Sequence, residues 1–347
     1  MNKSKKTFWS SKRSPFIIAE MSGNHNKSLD RALELVDAAA SCGADAIKLQ
    51  TYTADTMTLD IQNDEFMIND PSSLWYGQSM YQLFEKAHTP WEWHLPIMER
   101  AKQRSLLCFS SPFDASAVDF LENLNVPAYK IASFECVDIP LIKKVASTGK
   151  PMLISTGMAT ISEISDAVSA AKDYGCEDIT LLKCTSTYPA SAENTNLQTI
   201  SHMRHLFNCQ VGISDHTLGI GVSVAAVAFG ASVIEKHFTL SRSDGGVDSK
   251  FSLEPSELAS LVKESNQAWH ALGEIKYGPT KAEEKAKLRR RSLYINEDMN
   301  IGDIISSKNL CCIRPGHGIS PKYYEIFLGR KVKKSVKRGT PVTWDLL

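Results

Sequence analysis

Eight short apolar runs punctuate the first two-thirds of this chain, and each stops at a cluster of polar residues before a helix-forming stretch begins. They are Phe16–Glu20, Ala46–Gln50, Leu106–Ser110, Ala128–Ile131, Met152–Ile154, Ile179–Leu182, Val211–Ile213 and Val233–Ile234. Continuous apolar runs of this kind read as parallel strands buried on both faces. The helix ends between them are legible. Ser28 opens a stripe of Leu29, Leu33, Val36 and Ala40 that Gly43 closes; Asp114 precedes Val118 and Leu121; Asp138 precedes Leu141 and Val145; Thr160 and Glu163 form a capping box before Ile164 and Val168. Eight alternating β/α units predict an α/β fold, a TIM (β/α)8 barrel, whose sites are built at the carboxyl ends of the strands.

The seventh and eighth units carry the strongest chemical signal. Val211–Ile213 and Val233–Ile234 are joined by Gly219–Gly230, long enough for one crossover helix, so His216 and His237 fall at matching strand ends, flanked by Asp215 and Glu235. Two imidazoles at one mouth suit a shared divalent metal with open positions for water and substrate oxygen; the plainer alternative is that each only caps its strand. Lys48 and Lys130 lie within or at the end of apolar strands, where an ammonium needs an anion, either a ligand or an internal partner such as Glu20 or Glu135. Ser, Thr and Gly at neighbouring strand ends, including Ser155-Thr156-Gly157, suit a phosphate and a carboxylate held by charge and backbone N–H groups.

One connection, Thr51–Arg104, is about twice the usual length and rich in aromatics: Leu74-Trp75-Tyr76-Gly77, then Thr89-Pro90-Trp91-Glu92-Trp93-His94. Such an insertion at the active face can stack on a sugar ring, or its Trp91 and Trp93 can simply anchor it to the rim.

With 39 basic and 39 acidic residues, no net field recruits nucleic acid or an anionic membrane. Eight cysteines without a C-x-x-C pair read as reduced thiols. The polar, basic Met1–Arg13 precedes an apolar run too short for a signal peptide, and no stretch reaches membrane-spanning length, so a cytoplasmic enzyme is expected. Residues 1–272 read as the barrel and 273–290 as a charged linker. Residues 291–347 read as a small β-type domain in which Asn300-Ile301-Gly302-Asp303 is echoed by Lys337-Arg338-Gly339-Thr340. Between the echoes, Arg314 stands on the turn Arg314-Pro315-Gly316.

At these residues the chain resembles the sialic acid synthase family, enzymes that condense phosphoenolpyruvate with an amino sugar to make nine-carbon acids. The resemblance runs from Ile17-Ile18-Ala19-Glu20 through Ile47-Lys48-Leu49-Gln50-Thr51, Ser110-Ser111-Pro112-Phe113, Tyr129-Lys130-Ile131-Ala132-Ser133, Ser155-Thr156-Gly157-Met158, Cys184-Thr185-Ser186-Thr187-Tyr188-Pro189 and Ser214-Asp215-His216-Thr217 to Glu235-Lys236-His237-Phe238. The C-terminal part resembles the family's antifreeze-protein-like (SAF) domain, with Arg314-Pro315-Gly316 as its arginine loop. The resemblance implies a divalent metal (Mn²⁺, Mg²⁺ or Co²⁺) on His216 and His237. It implies phosphoenolpyruvate contacts at Lys48, Gln50, Ser111, Lys130, Ser133, Ser155, Ser186 and Ser214, and sugar contacts at Glu20, Tyr188, Asp248 and Arg314. It further implies a homodimer in which the small domain is swapped between subunits, so that Arg314 serves the other barrel.

Cys184-Thr185-Ser186 departs from the Cys-Thr-Asn usual in N-acetylneuraminate synthases. The insertion, with Lys183, is similar to the pseudaminic acid synthase branch, whose acceptor is a 2,4-diacetamido-2,4,6-trideoxy hexose; an N-acetylneuraminate or legionaminic acid synthase is the alternative within the family. Glu20 or Glu135 is expected to handle the proton of an attacking water. A Schiff-base aldolase using Lys48, Lys130 or Lys183 is a rival chemistry, and a non-catalytic carbohydrate-binding protein a rival class.

Overall fold

The computed structural model describes Trp9 and residues 14–347; apart from Trp9, the basic N-terminal segment lies outside the described residues. Eight parallel strands close into a barrel in sequential order: β1 (Phe16–Glu20), β2 (Ala46–Thr51), β3 (Leu107–Pro112), β4 (Tyr129–Ile131), β5 (Met152–Ser155), β6 (Ile179–Cys184), β7 (Gln210–Asp215) and β8 (Val233–His237), with β1 pairing β8. Several strands run one to three residues past their apolar cores, so the polar residues at their carboxyl ends are ladder residues with fixed direction.

That direction follows from the two-residue period of a strand. Inside the barrel the lower layers are filled by Phe16, Ile18, Ala46, Phe109, Ala128, Leu153, Leu182 and Val233. Continuing each strand by its period places Glu20, Lys48, Ser111, Lys130, Ser155, Cys184, Ser214 and Glu235 in the layer above. Gly212 belongs to the same interior, and a Cβ there would stand 2.5 Å from Val233 O. Outward positions such as Ile17, Ile47 and Ile234 join the core beneath the helices.

The expected caps are present. Ser28 accepts from Arg31 N, Asp114 from Ser116 N and Ala117 N, Asp138 from Leu141 N, and Thr160 and Glu163 form their capping box. The crossover helix between β7 and β8 is Gly221–Ala228. The long β2–β3 connection is ordered into helices Ala54–Met57, Met80–Ala87 and His94–Gln103, and Met67 bridges Ser79.

The chain divides into two compact units, the first ending at Gly273 and the second spanning Glu274–Leu347. In the second, β9 (Ser292–Ile295) pairs antiparallel with β10 (Leu310–Ile313) over a core of Leu293, Ile305, Phe327, Val332 and Leu346. The two echoed loops meet through the Met299–Val336 bridge, and Gly302 and Gly339 both take positive φ, 92° and 85°, as their turns require. Residues 284–289 form a 3₁₀ helix within this unit, and Gly316 N donates to Leu288 O at 2.9 Å. Among the described residues, no helix is long and apolar enough to cross a membrane.

Candidate active site at the barrel mouth

The layer above the apolar floor gathers two ammoniums and two carboxylates. Lys48 Nζ stands 2.6 Å from Glu20 Oε2, 3.9 Å from Glu235 Oε1 and 3.1 Å from Ser111 Oγ, while Lys130 Nζ stands 3.3 Å from the same Glu235 oxygen. Both lysines therefore have internal partners, and that of Lys130 is Glu235 in place of Glu135. Burial would lower both ammoniums; two flanking carboxylates more than offset it at Lys48, which is raised, whereas Lys130 stays lowered. Burial drives Glu20 up against the pull of Lys48, while Lys130 and Lys48 hold Glu235 down against its own burial.

Hydroxyls and amides complete the layer. Gln50 Nε2 donates to Glu20 Oε1 at 2.9 Å, and Ser214 Oγ to Glu235 Oε1 at 3.1 Å. Ser155 Oγ is buried without a hydrogen-bond partner. Gly157 N donates to Ser133 Oγ at 3.2 Å, and a Cβ on Gly157 would fall 2.1 Å from Ser186 Oγ and 2.8 Å from Ser133 Oγ. The glycine thus keeps open a cradle of hydroxyls beside the two lysines, a donor set suited to a phosphorylated carboxylate.

Above this layer His216 and His237 face each other with ring centroids 5.3 Å apart. His216 Nδ1 donates to Thr185 O at 2.9 Å, which leaves Nε2 as the nitrogen available to a ligand; burial would lower this ring, but Cys184 and the Thr185 carbonyl raise it. His237 Nδ1 is buried with no hydrogen-bond partner, and burial with the surrounding cations keeps that ring well below its ordinary pKa, hence neutral. Each ring thus offers a nitrogen to a divalent metal, which on binding would displace the proton that Cys184 favours on His216. Among the described residues no group of three or more His, Cys, Asp or Glu converges as a metal cage, so the chain would supply two ligands and leave the rest to water and substrate.

Tyr188 lies against His216 at 4.5 Å, and Asp248 Oδ2 stands 3.7 Å from His237 Nδ1 while accepting from Ser22 Oγ. Arg314 is exposed in the second unit. Glu135 lies off the cavity lining with its Oε2 buried and unpartnered, and burial pushes it up to about 7.

Sequence reasoning gave no role to Glu235, although its inward parity with His237 on one strand marks it. Cys184 was missed as well: burial alone would raise its thiol, but His216, 3.8 Å away, brings it down to about 7. Asp215 and Lys236 take the outward parity and form a buried pair at 3.2 Å outside the barrel interior. Lys183 also points outward, its Nζ on Cys184 O at 2.8 Å. Of the insertion's tryptophans, Trp91 packs on Phe120 at 4.6 Å and Trp93 lies edge-on to His25 at 5.5 Å, so both are anchors.

Comparison with known proteins identifies the family. A family model described as NeuB family matches residues 35–277, and one described as SAF domain matches 290–347. The chain is 44% identical to a pseudaminic acid synthase of Campylobacter jejuni, over 93% of this chain and 94% of that protein. It is 43% identical to one of Helicobacter pylori, over 95% and 97%. An N,N'-diacetyllegionaminic acid synthase of Campylobacter jejuni is 38% identical over 92% and 96%. Among solved structures, the N-acetylneuraminic acid (sialic acid) synthetase of Leptospira borgpetersenii superposes with a TM-score of 0.70 at 34% identity, covering 79% of this chain and 90% of that one. With its barrel, its C-terminal SAF domain and relatives of this identity along nearly its whole length, the chain belongs to the NeuB family.

Proposed function

We propose that this enzyme is a pseudaminic acid synthase, a transferase condensing phosphoenolpyruvate with 2,4-diacetamido-2,4,6-trideoxy-L-altrose and water to give pseudaminic acid and phosphate with C–O cleavage. The observation that carries the choice of sugar is the 43–44% identity to pseudaminic acid synthases against 38% to a legionaminic acid synthase of similar coverage.

Lys48 and Lys130 neutralise the carboxylate and phosphate of phosphoenolpyruvate, and Ser133, Ser155 and Ser186 hold the phosphoryl oxygens, with Gly157 N–H orienting Ser133. Ser111, Ser214 and Gln50 orient the remainder. A divalent metal on His216 and His237 would polarise the aldehyde oxygen of the open-chain sugar. C3 of phosphoenolpyruvate attacks the aldehyde carbon, positive charge develops at C2, and water adds there before phosphate leaves. Glu20 suits the role of taking the water's proton: it lines the cavity, stands in register with His237, and burial raises it toward the working range. Glu135, off the lining, fits it less well. Tyr188 and Asp248 flank the sugar's reacting end, and Arg314 of a swapped small domain closes the barrel of a second copy in a homodimer. Free thiols and a substrate from central metabolism suit a cytoplasmic enzyme. Lys48, held charged by two carboxylates, is a poor amine nucleophile, and Lys183 points out of the barrel, which leaves Lys130 as the one candidate for a Schiff-base route.

The test is phosphate release from phosphoenolpyruvate with N-acetylmannosamine and with the altro and manno diacetamido-trideoxy hexoses. Activity should be highest with the altro sugar, vanish on chelation and return with Mn²⁺. Preference for N-acetylmannosamine or for the manno isomer would reassign the enzyme within the family. Phosphate release with none of the three would favour a sugar-binding role, and a lysine adduct trapped by borohydride would overturn the mechanism.

A further inference from the structure

Trp75 stands apart from the other aromatics of the insertion. It packs on Tyr188 with 6.0 Å between ring centroids, and Tyr188 in turn lies 4.5 Å from His216. The rings of His216, Tyr188 and Trp75 are therefore in successive contact, beginning at the proposed point where the sugar aldehyde reacts. An extended hexose spans about 6 Å from C1 to C6, at roughly 1.2 Å advance per bond. A sugar with C1 at the histidines and its chain laid along Tyr188 thus brings C6 to the neighbourhood of the indole. The indole N–H is already used, donating to Val247 O at 3.0 Å on the loop that carries Asp248. What Trp75 has left to offer a ligand is its apolar ring face.

We propose, on the basis of the reaction given above, that Trp75 is the specificity-determining side chain for the far end of the acceptor, its ring face forming an apolar wall that accepts a C6 methyl and disfavours a C6 hydroxymethyl. A hydroxyl against such a wall loses water without gaining a partner, whereas a methyl gains contact. The wall stands on the insertion and not on a barrel strand, so it selects the acceptor without touching the phosphoenolpyruvate layer.

The experiment compares two acceptors differing only at C6, the 2,4-diacetamido-2,4,6-trideoxy hexose and its 6-hydroxy counterpart, in steady-state phosphate release by the full-length enzyme. Wild type should prefer the deoxy sugar. Trp75→Ala should lower kcat/KM for it about tenfold, mainly through KM, bring the ratio of the two acceptors close to one, and leave KM for phosphoenolpyruvate unchanged. Trp75→Phe keeps an apolar ring without the N–H and should keep most of the discrimination. An equal fall for both sugars in Trp75→Ala, or a Phe variant that loses the ratio as completely as Ala, would overturn the proposal by reducing Trp75 to a tether for the Val247 loop. A wild type inactive with both acceptors would instead overturn the reaction and this reading with it, an outcome separable from active wild type with an unchanged ratio.

Discussion

Lys130 and Glu235 meet across the width of the barrel mouth, Nζ to Oε1 at 3.3 Å, from strands β4 and β8 that stand opposite one another in the closed ring. Glu235 Oε1 also serves Ser214 and lies 3.9 Å from Lys48, so one carboxylate oxygen organises both ammoniums before substrate arrives. Glu235→Gln leaves Lys130 buried without a counter-charge and should cost about 3 kcal/mol of stability. An added trianion then has more to neutralise, so phosphoenolpyruvate should raise Tm further in the variant than in wild type. Equal thermal shifts in the two proteins would contradict this pairing.

The cradle at Gly157 makes a steric prediction. An added methyl at 2.1 Å from Ser186 Oγ cannot be accommodated without displacing the hydroxyls proposed to hold the phosphate. Gly157→Ala should fold normally by circular dichroism yet lose about a hundredfold in kcat/KM for phosphoenolpyruvate, the scale expected for a 1 Å misplacement. Wild-type kinetics in this variant would place the phosphate elsewhere.

Acid stability should depend on His94. Its ring is fully buried, Nε2 lies 2.8 Å from Thr51 Oγ1, and burial lowers it to about 4 from an ordinary 6.5. Because the folded value lies below the unfolded one, the unfolded chain binds the extra proton between those pH values. The contribution is thus fully present above pH 6.5 and is lost as pH falls toward 4, by about 3 kcal/mol. Urea midpoints at pH 7 and pH 4.5 should converge in His94→Gln relative to wild type. His25, likewise lowered to about 4 by burial, gives a residual slope of the same sign.

The proposed swap of small domains can be tested by complementation. His237→Ala and Arg314→Ala, each inactive alone, would be refolded together in equal amounts. In a swapped homodimer, half the dimers are mixed and each mixed dimer has one site with both residues intact, so about a quarter of wild-type activity should return. If each small domain serves its own barrel, the mixture stays inactive.

The barrel was legible because its eight strands and their caps are local patterns, and the interior layer because two-residue parity fixes which side chains look inward. Parity also separates residues that simple proximity to a strand end lumps together: Glu235 and His237 face the cavity while Lys236, between them, is buried outside with Asp215. Partner choice was not legible. Whether Lys130 meets Glu135 or Glu235 depends on barrel closure across 105 positions, and no local pattern encodes it. The same holds for the tryptophans. Trp75, Trp91 and Trp93 look alike in sequence, and only tertiary packing sends two of them to the rim and one to Tyr188.

The packed apolar layers beneath the lysines have a consequence for traffic. Phe16, Phe109, Leu153, Leu182 and Val233 fill the barrel axis, as side chains do in this architecture, so the cavity is a blind well. Whatever binds deepest must go in first and come out last. With phosphoenolpyruvate at the lysines and the sugar above it along Tyr188, as proposed, the two substrates should add in that sequence, and phosphate, formed at the bottom, should wait for the nine-carbon acid to clear the shaft. Inorganic phosphate should then inhibit competitively against phosphoenolpyruvate and non-competitively against the sugar, and random-order patterns would show a second way in.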